Sequence, residues 1–204
     1  MRRIACAFAL CFALGASNED GVDFSCPKGS VLRRTDRDGA CETRSGVGEG
    51  PFWTSRDDGS LRVWGTAHDG KTDGRWLSFH PNGAKSIEAQ YVAGRLVGSF
   101  RMWNESGQLI YAGTHDAGGE MDGTWARWWP NGAERIRWEM QHGHAHGPVT
   151  AWFASGGKRF HGQREDGRRE GTWVWWNEAG AETAHCRFER DVVVEGACGS
   201  FGPD

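Results

Sequence analysis

Three histidines alternate in Gln141-His142-Gly143-His144-Ala145-His146, and alternation sets every second side chain on one side of an extended segment. Imidazole is a good ligand for zinc, copper or nickel, so His142, His144 and His146 are the first candidates for metal chemistry. The competing reading places the run on a polar turn between two structural units, with no metal. His68, His115 and His161 lie scattered along the chain and form no cluster with them. No Ser, His and Asp set sits in a nucleophile-elbow context, and no glycine cluster has the form of a phosphate loop. Glu134, Glu139 and Glu165 read as a solvated strand face rather than as paired glycosidase acids. The expectation is a chain without catalytic residues, enzyme activity or cofactor.

The cysteines carry a second kind of chemistry. Arg2 and Arg3 open the chain, Ile4 to Leu14 is an almost unbroken apolar run, and Gly15-Ala16-Ser17 supplies small residues before Asn18. This pattern is that of a secretory signal peptide over residues 1–17, too short in its apolar part for a transmembrane helix. Cys6 and Cys11 lie within it, outside the small-residue context of a lipid-modified cysteine. An exported chain with Cys26, Cys41, Cys186 and Cys198 remaining is expected to form disulfides, and four cysteines allow three pairings. The sequence-local pairing, Cys26 with Cys41 and Cys186 with Cys198, puts one bridge at each end; neither pair has the C-x-x-C spacing of a zinc site. The 24 basic residues less the two leader arginines leave 22 against 27 acids, a net charge of −5 with histidine neutral. That balance argues against nucleic acid, which needs a basic stripe to neutralise phosphates.

The elements that position these groups are set by an internal repeat of about 24 residues. Units open at Gly50, Gly74, Gly98, Gly123, Gly147 and Gly171, and Gly196 opens a truncated seventh. Nine residues on stands a second glycine: Gly59, Gly83, Gly107, Gly132, Gly156 and Gly180. An apolar residue lies two places after the opening glycine (Phe52, Trp76, Phe100, Trp125, Val149, Trp173), and a ring three further on (Phe79, Trp103, Trp128, Trp152, Trp176). A bulge in the first strand is expected to bring both rings to one face. Pro81-Asn82-Gly83 and Pro130-Asn131-Gly132 are turn sequences, and Ile87, Ala89, Tyr91 or Ile136, Trp138, Met140 alternate in the strand that follows. The fold class is therefore all-β, an elongated antiparallel meander of tandem hairpins sharing an aromatic stripe. Gly 31 is about twice the usual share, and Trp 12 makes the core largely of rings.

The reading divides the chain into the signal peptide, a cysteine-bounded cap over 18–49, six repeats over 50–195, and a truncated repeat with a C-terminal cap over 196–204. The irregular stretch from Phe24 to Gly48 and the terminal disulfides are expected to cap the exposed sheet edges. Trp129, Phe153 and Trp175 adjoin ring positions and by alternation should point the other way. They are the candidate binding row, able to stack on sugar rings or anchor a partner; the plainer reading has them cover the sheet's second face.

Gly74-Arg-Trp-Leu-Ser-Phe-His-Pro-Asn-Gly83 and Gly123-Thr-Trp-Ala-Arg-Trp-Trp-Pro-Asn-Gly132 resemble the bacterial variant of the MORN repeat, the form found in YwqK-like antitoxins. The resemblance spans about residues 50 to 200, and the Cys26-to-Cys41 segment is similar to the leader that precedes such repeats in exported proteins. It implies a hairpin ribbon with no shared active site that binds proteins or membrane surfaces. An antitoxin carrying a signal peptide would act as an immunity-type protein in the envelope. The expected function is thus an exported, periplasmic or extracellular, interaction scaffold for a protein partner or envelope surface, with a glycan-binding module and a toxin-neutralising protein as alternatives.

Overall fold

The computed structural model describes residues 21–200; the segment 1–17, expected from its sequence to be a signal peptide, lies outside them. The fold is all-β. Fifteen strands follow in chain order: β1 (Ser30–Arg34), β2 (Asp38–Thr43), β3 (Gly48–Ser55), β4 (Leu61–His68), β5 (Lys71–Phe79), β6 (Lys85–Val92), β7 (Arg95–Trp103), β8 (Leu109–His115), β9 (Met121–Trp128), β10 (Glu134–Gln141), β11 (His144–Trp152), β12 (Lys158–Glu165), β13 (Arg168–Trp176), β14 (Glu182–Glu189) and β15 (Val192–Ala197). They form an antiparallel meander in which each strand lies beside its neighbours in the chain. The residues group into two compact units, one through Leu96 with Glu105–Gly107, the other comprising Val97–Asn104 and the chain from Gln108 on.

The two glycine series have different jobs. Gly59, Gly83, Gly107, Gly132, Gly156 and Gly180 close hairpin turns, as when Gly132 N–H donates to the Trp129 carbonyl at 2.9 Å. The opening glycines instead lie inside strands, with φ of 102° at Gly50 and 104° at Gly147, and the register shifts beside them. They are bulge residues, where the positive φ suits glycine alone. The turns between repeats fall earlier, at pairs such as Ala93-Gly94 and Asp166-Gly167, both residues at positive φ, the signature of a tight type I′ hairpin.

Most of the inter-repeat turns are held from one repeat back. Gly70, Gly94, Gly143 and Gly167 donate their N–H to the carbonyls of Gly48, Thr72, Met121 and Ala145 at 2.7–2.9 Å. The preceding turn residue donates to the carboxylate beside an opening glycine: Asp69 to Glu49, Ala93 to Asp73, His142 to Asp122, Arg190 to Glu170. At the other end of the hairpins, the Asn82 and Asn131 amides donate to the Glu105 and Ala154 carbonyls, both at 2.7 Å. The repeats joined in this way satisfy one another's backbone groups, the nearest-neighbour coupling expected of a repeat array.

Rings occupy both faces of the sheet, but the two ring positions of each repeat do not share a face as the expected first-strand bulge required. The bulges fall at the opening glycines and on the returning strand near each hairpin turn, leaving Gly171 to Trp176 in one unbroken pleat. Residues three apart in such a pleat face opposite ways. Trp173 accordingly joins Phe160, Trp175, Cys186 and Phe188 in one core cluster, while Trp176 faces away. In the first unit the core lies on the face of Trp53, Trp64, Leu77 and Phe79, covered by Val22 with Phe24 packed against it. Phe24 meets Trp53 edge-on at 5.0 Å, and the Trp64 indole donates to the Asp23 carbonyl at 2.8 Å.

Both expected disulfides are present, Cys26 with Cys41 and Cys186 with Cys198. Their role differs from edge capping. The segment after Phe24 is regular from Ser30, forming the hairpin of β1 and β2, and the outermost strands remain exposed, with Val192 at 63% and Val31 at 48%. The bridges instead pin chain ends across sheet faces: residues before Cys26 lie over Trp53 and Trp64, and a Cβ at Gly199 would come within 2.6 Å of Trp175. Among the described residues no helix is long and apolar enough to cross a membrane.

Candidate functional site

Two rungs of side chains cross the same face of the second unit. One runs through Phe100, Gly113, Trp125, Trp138, Val149, Gly162 and Trp173; the other through Tyr111, Arg127, Ile136, Ala151, Phe160 and Trp175. Above them lies an open groove of about 490 Å³ whose floor includes Ile136, Trp138, Val149, Ala151 and Phe160. Four arginines rim it, Arg127, Arg135, Arg159 and Arg164, and among the described residues lining it there is no acid.

The strands aim these arginines by two means. Arg127 lies on the pleat of β9, opposite Ile136 and Tyr111. Arg135 and Arg159 are the extra residues where the register shifts in β10 and β12, the same position in consecutive hairpins. A bulge turns its extra side chain out of alternation, which brings both arginines to the groove beside Ile136 and Phe160. The guanidinium groups are held by rings and backbone: Arg127 lies 5.4 Å from the Tyr111 ring centre and 5.9 Å from that of Trp138, Arg135 lies 4.8 Å over Trp129, and Arg164 Nη1 donates to the Gly167 carbonyl at 2.7 Å. Burial raises the Tyr111 phenol above its ordinary range, against the pull of Arg127, so it stays protonated beside the cation.

The residues singled out from sequence are placed otherwise. Trp175 is 3% exposed within the core cluster and takes no part in a surface row. Trp129 and Phe153 share one repeat position, the first residue of the hairpin turn, where each N–H donates to a carbonyl four residues on. Trp129 also donates its indole N–H to the Trp152 carbonyl at 3.1 Å, tying neighbouring hairpins. The three rings therefore do not form one row. The rings that do recur on the opposite face, Trp128, Trp152 and Trp176, are half-buried.

His142 sits in the inter-repeat turn at positive φ, 3.6 Å from Asp116, and His146 lies 3.7 Å from Asp166. His146 stands before Gly147 where other repeats place the clamping carboxylate. The described residues whose ligand atoms gather within 4.8 Å are Glu49, His68 and Asp69, an exposed group. Its geometry belongs to the inter-repeat clamp: Glu49 accepts from His68 Nδ1 at 2.9 Å, which lowers the carboxyl and raises the imidazole.

His115 has a different environment. Its ring meets Trp125 edge-on at 5.1 Å, its Nδ1 is buried with no hydrogen-bond partner, and burial lowers its pKa. The neutral ring is thus favoured in the fold, and the stability it supplies is present above the unfolded value of about 6.5 and is lost as pH falls below that through the lower folded value. A nuclear magnetic resonance titration should find His115 titrating below 6.5, and His115→Phe should lessen the loss of stability between neutral and mildly acidic pH. His161, also lowered by burial, adds to the same trend; a His115 titrating above 6.5 would contradict it.

No family model and no curated protein matches the chain. Among solved structures, accessory secretory protein 1,2 and 3 of Streptococcus pneumoniae is similar at TM-score 0.29 and 11% identity, over 57% of this chain and 20% of that one. A GtfA/B complex bound to UDP and GlcNAc is similar at TM-score 0.25 and 10% identity, over 69% of this chain and 25% of that one. The chain spans a quarter or less of these proteins, and the likeness is too slight to carry a functional argument.

Proposed function

We propose that this chain is a non-enzymatic, exported repeat protein of MORN-like type that acts as an interaction scaffold at the cell envelope, with the arginine-rimmed groove of β9 to β13 as its contact site. The observation that carries the reading is four guanidinium groups around an apolar floor, with no acid among the described lining residues, in a chain whose net charge is −3. A local cation cluster in an acidic protein favours one kind of partner, an anionic one. Arginine does not titrate near neutral pH and the remaining lining is apolar, which supports binding over acid–base chemistry. Two disulfides support an oxidising location.

The test compares retention of the producing cell's envelope fractions by the immobilised wild-type chain and by the Arg135→Ser/Arg159→Ser variant. Both residues are bulge side chains outside the buried core, so the variant should melt with the wild type. Retention should fall at least tenfold. Equal retention by both proteins would remove the groove from the function.

A further inference from the structure

Resting on that reading of the groove, we propose that its ligand is a linear acidic polysaccharide, bearing carboxylate, sulfate or phosphate groups along the chain. The first argument is hydrogen-bond chemistry. Every polar side-chain atom in the lining is a donor, guanidinium N–H from the four arginines and indole N–H from Trp138 and Trp173. The Trp173 indole is already engaged with the Glu170 carbonyl at 3.3 Å. A peptide brings a backbone N–H for nearly every carbonyl, and these donors would meet no side-chain acceptor there. An acidic glycan brings acceptors in excess: anionic oxygens, which guanidinium groups grip in pairs, and ring and hydroxyl oxygens between them.

Spacing and floor point the same way. The arginines stand on β9, β10 and β12, so the cations spread over three inter-strand steps, about 14 Å at the usual strand separation. That spread suits charges repeated along an extended chain better than one compact anion. Between the cations the floor is apolar, aliphatic at Ile136, Val149 and Ala151 and aromatic at Trp138 and Phe160, a surface for the C–H faces of sugar rings. The half-buried rings nearest the rim already carry arginine, Arg127 at Tyr111 and Trp138, Arg135 at Trp129. Recognition thus works through stacked guanidinium groups, not through bare tryptophan platforms. The groove's volume of about 490 Å³ falls within the usual range for small-ligand sites. A polynucleotide also offers anions, but its dense charge would meet the repulsion of an acidic chain beyond the groove.

The experiment measures binding of the oxidised chain to a defined set: oligogalacturonate, a sulfated dextran oligomer, a phosphorylated dextran oligomer, neutral dextran, a poly-glutamate peptide and a single-stranded DNA oligomer. One or more of the three acidic glycan-type polymers should bind, with affinity weakening as salt rises, and neutral dextran should not. Which of the three binds identifies the anion. Arg135→Ser/Arg159→Ser should weaken that binding tenfold or more, and Arg135→Lys/Arg159→Lys should fall between, keeping charge while losing the paired grip. Binding to none of the three, equal binding to neutral dextran, tighter binding to poly-glutamate or DNA, or indifference to both variants overturns the inference. Arginine-dependent retention on envelope fractions without glycan binding would overturn the ligand class alone; retention unchanged in the serine variant would overturn the contact site itself.

Discussion

Gly162→Ala should destabilise the second unit by about 3 kcal/mol, at the top of the usual range for overpacking a core. Gly162 lies opposite Val149 with the indole of Trp173 directly across it, and a Cβ there would clash with the face of that indole. Trp173 is fully buried among Phe160, Trp175 and Phe188, so the ring cannot move aside without disturbing the whole cluster. Gly162 is not among the positive-φ glycines, so the cost is packing rather than backbone strain. Gly156→Ala supplies the contrast: that glycine has φ of 90° and nothing within 4 Å, so alanine there meets strain without a clash and should cost about 1 kcal/mol. Urea unfolding followed by tryptophan emission measures both. Combining Gly162→Ala with Trp173→Leu should cost less than the sum of the two single changes, because each alters the same contact. A Gly162→Ala protein within 0.5 kcal/mol of wild type would show that the indole does not depend on the missing Cβ.

The same device recurs where Gly113 lies under Trp125, and where a Cβ at Gly65 would come within 2.7 Å of Phe52 and 3.0 Å of Trp76. This explains why the repeat was legible as strands and turns while its faces were not. Two glycines per unit in register announce the period, and Pro-Asn-Gly announces the hairpin end. Whether an opening glycine closes a turn or breaks a strand's register depends on pairing, which a single strand's pattern does not contain. Placing the bulge at Gly171, outside the segment from Trp173 to Trp176, is enough to send Trp176 to the opposite face and Trp175 into the core. The groove was hidden for the same reason. Arg135 and Arg159 would alternate away from Ile136 and Phe160 in a regular strand, and only the shared bulge position unites them with Arg127. A signal was present, an arginine three residues after Gly132 and again after Gly156, each followed by a core residue. Reading it requires knowing that the position is a bulge.

The second large effect is expected from Cys198→Ser. The chain-entropy account assigns about 3 kcal/mol to a loop of this length, the two cysteines being 12 residues apart. Structure adds a local consequence. Cys186 is 1% exposed within the aromatic cluster, and its partner holds Gly199 against the Trp175 ring. Releasing that segment should uncover Trp175, so reduction or substitution should raise quenching of tryptophan emission by a soluble quencher even before unfolding. Cys26→Ser should do the same in the first unit, where the segment around Val22 and Phe24 lies over Trp53 and the Trp64 indole is tied to Asp23. The two changes should be additive, since the covered clusters lie in separate units and share no residue. Loss of stability in either variant without a rise in quenching would mean that the bridge acts on the unfolded chain alone. A rise in quenching with both would show that the rings of each cluster rely on a bridge to keep the segment beside it laid across them.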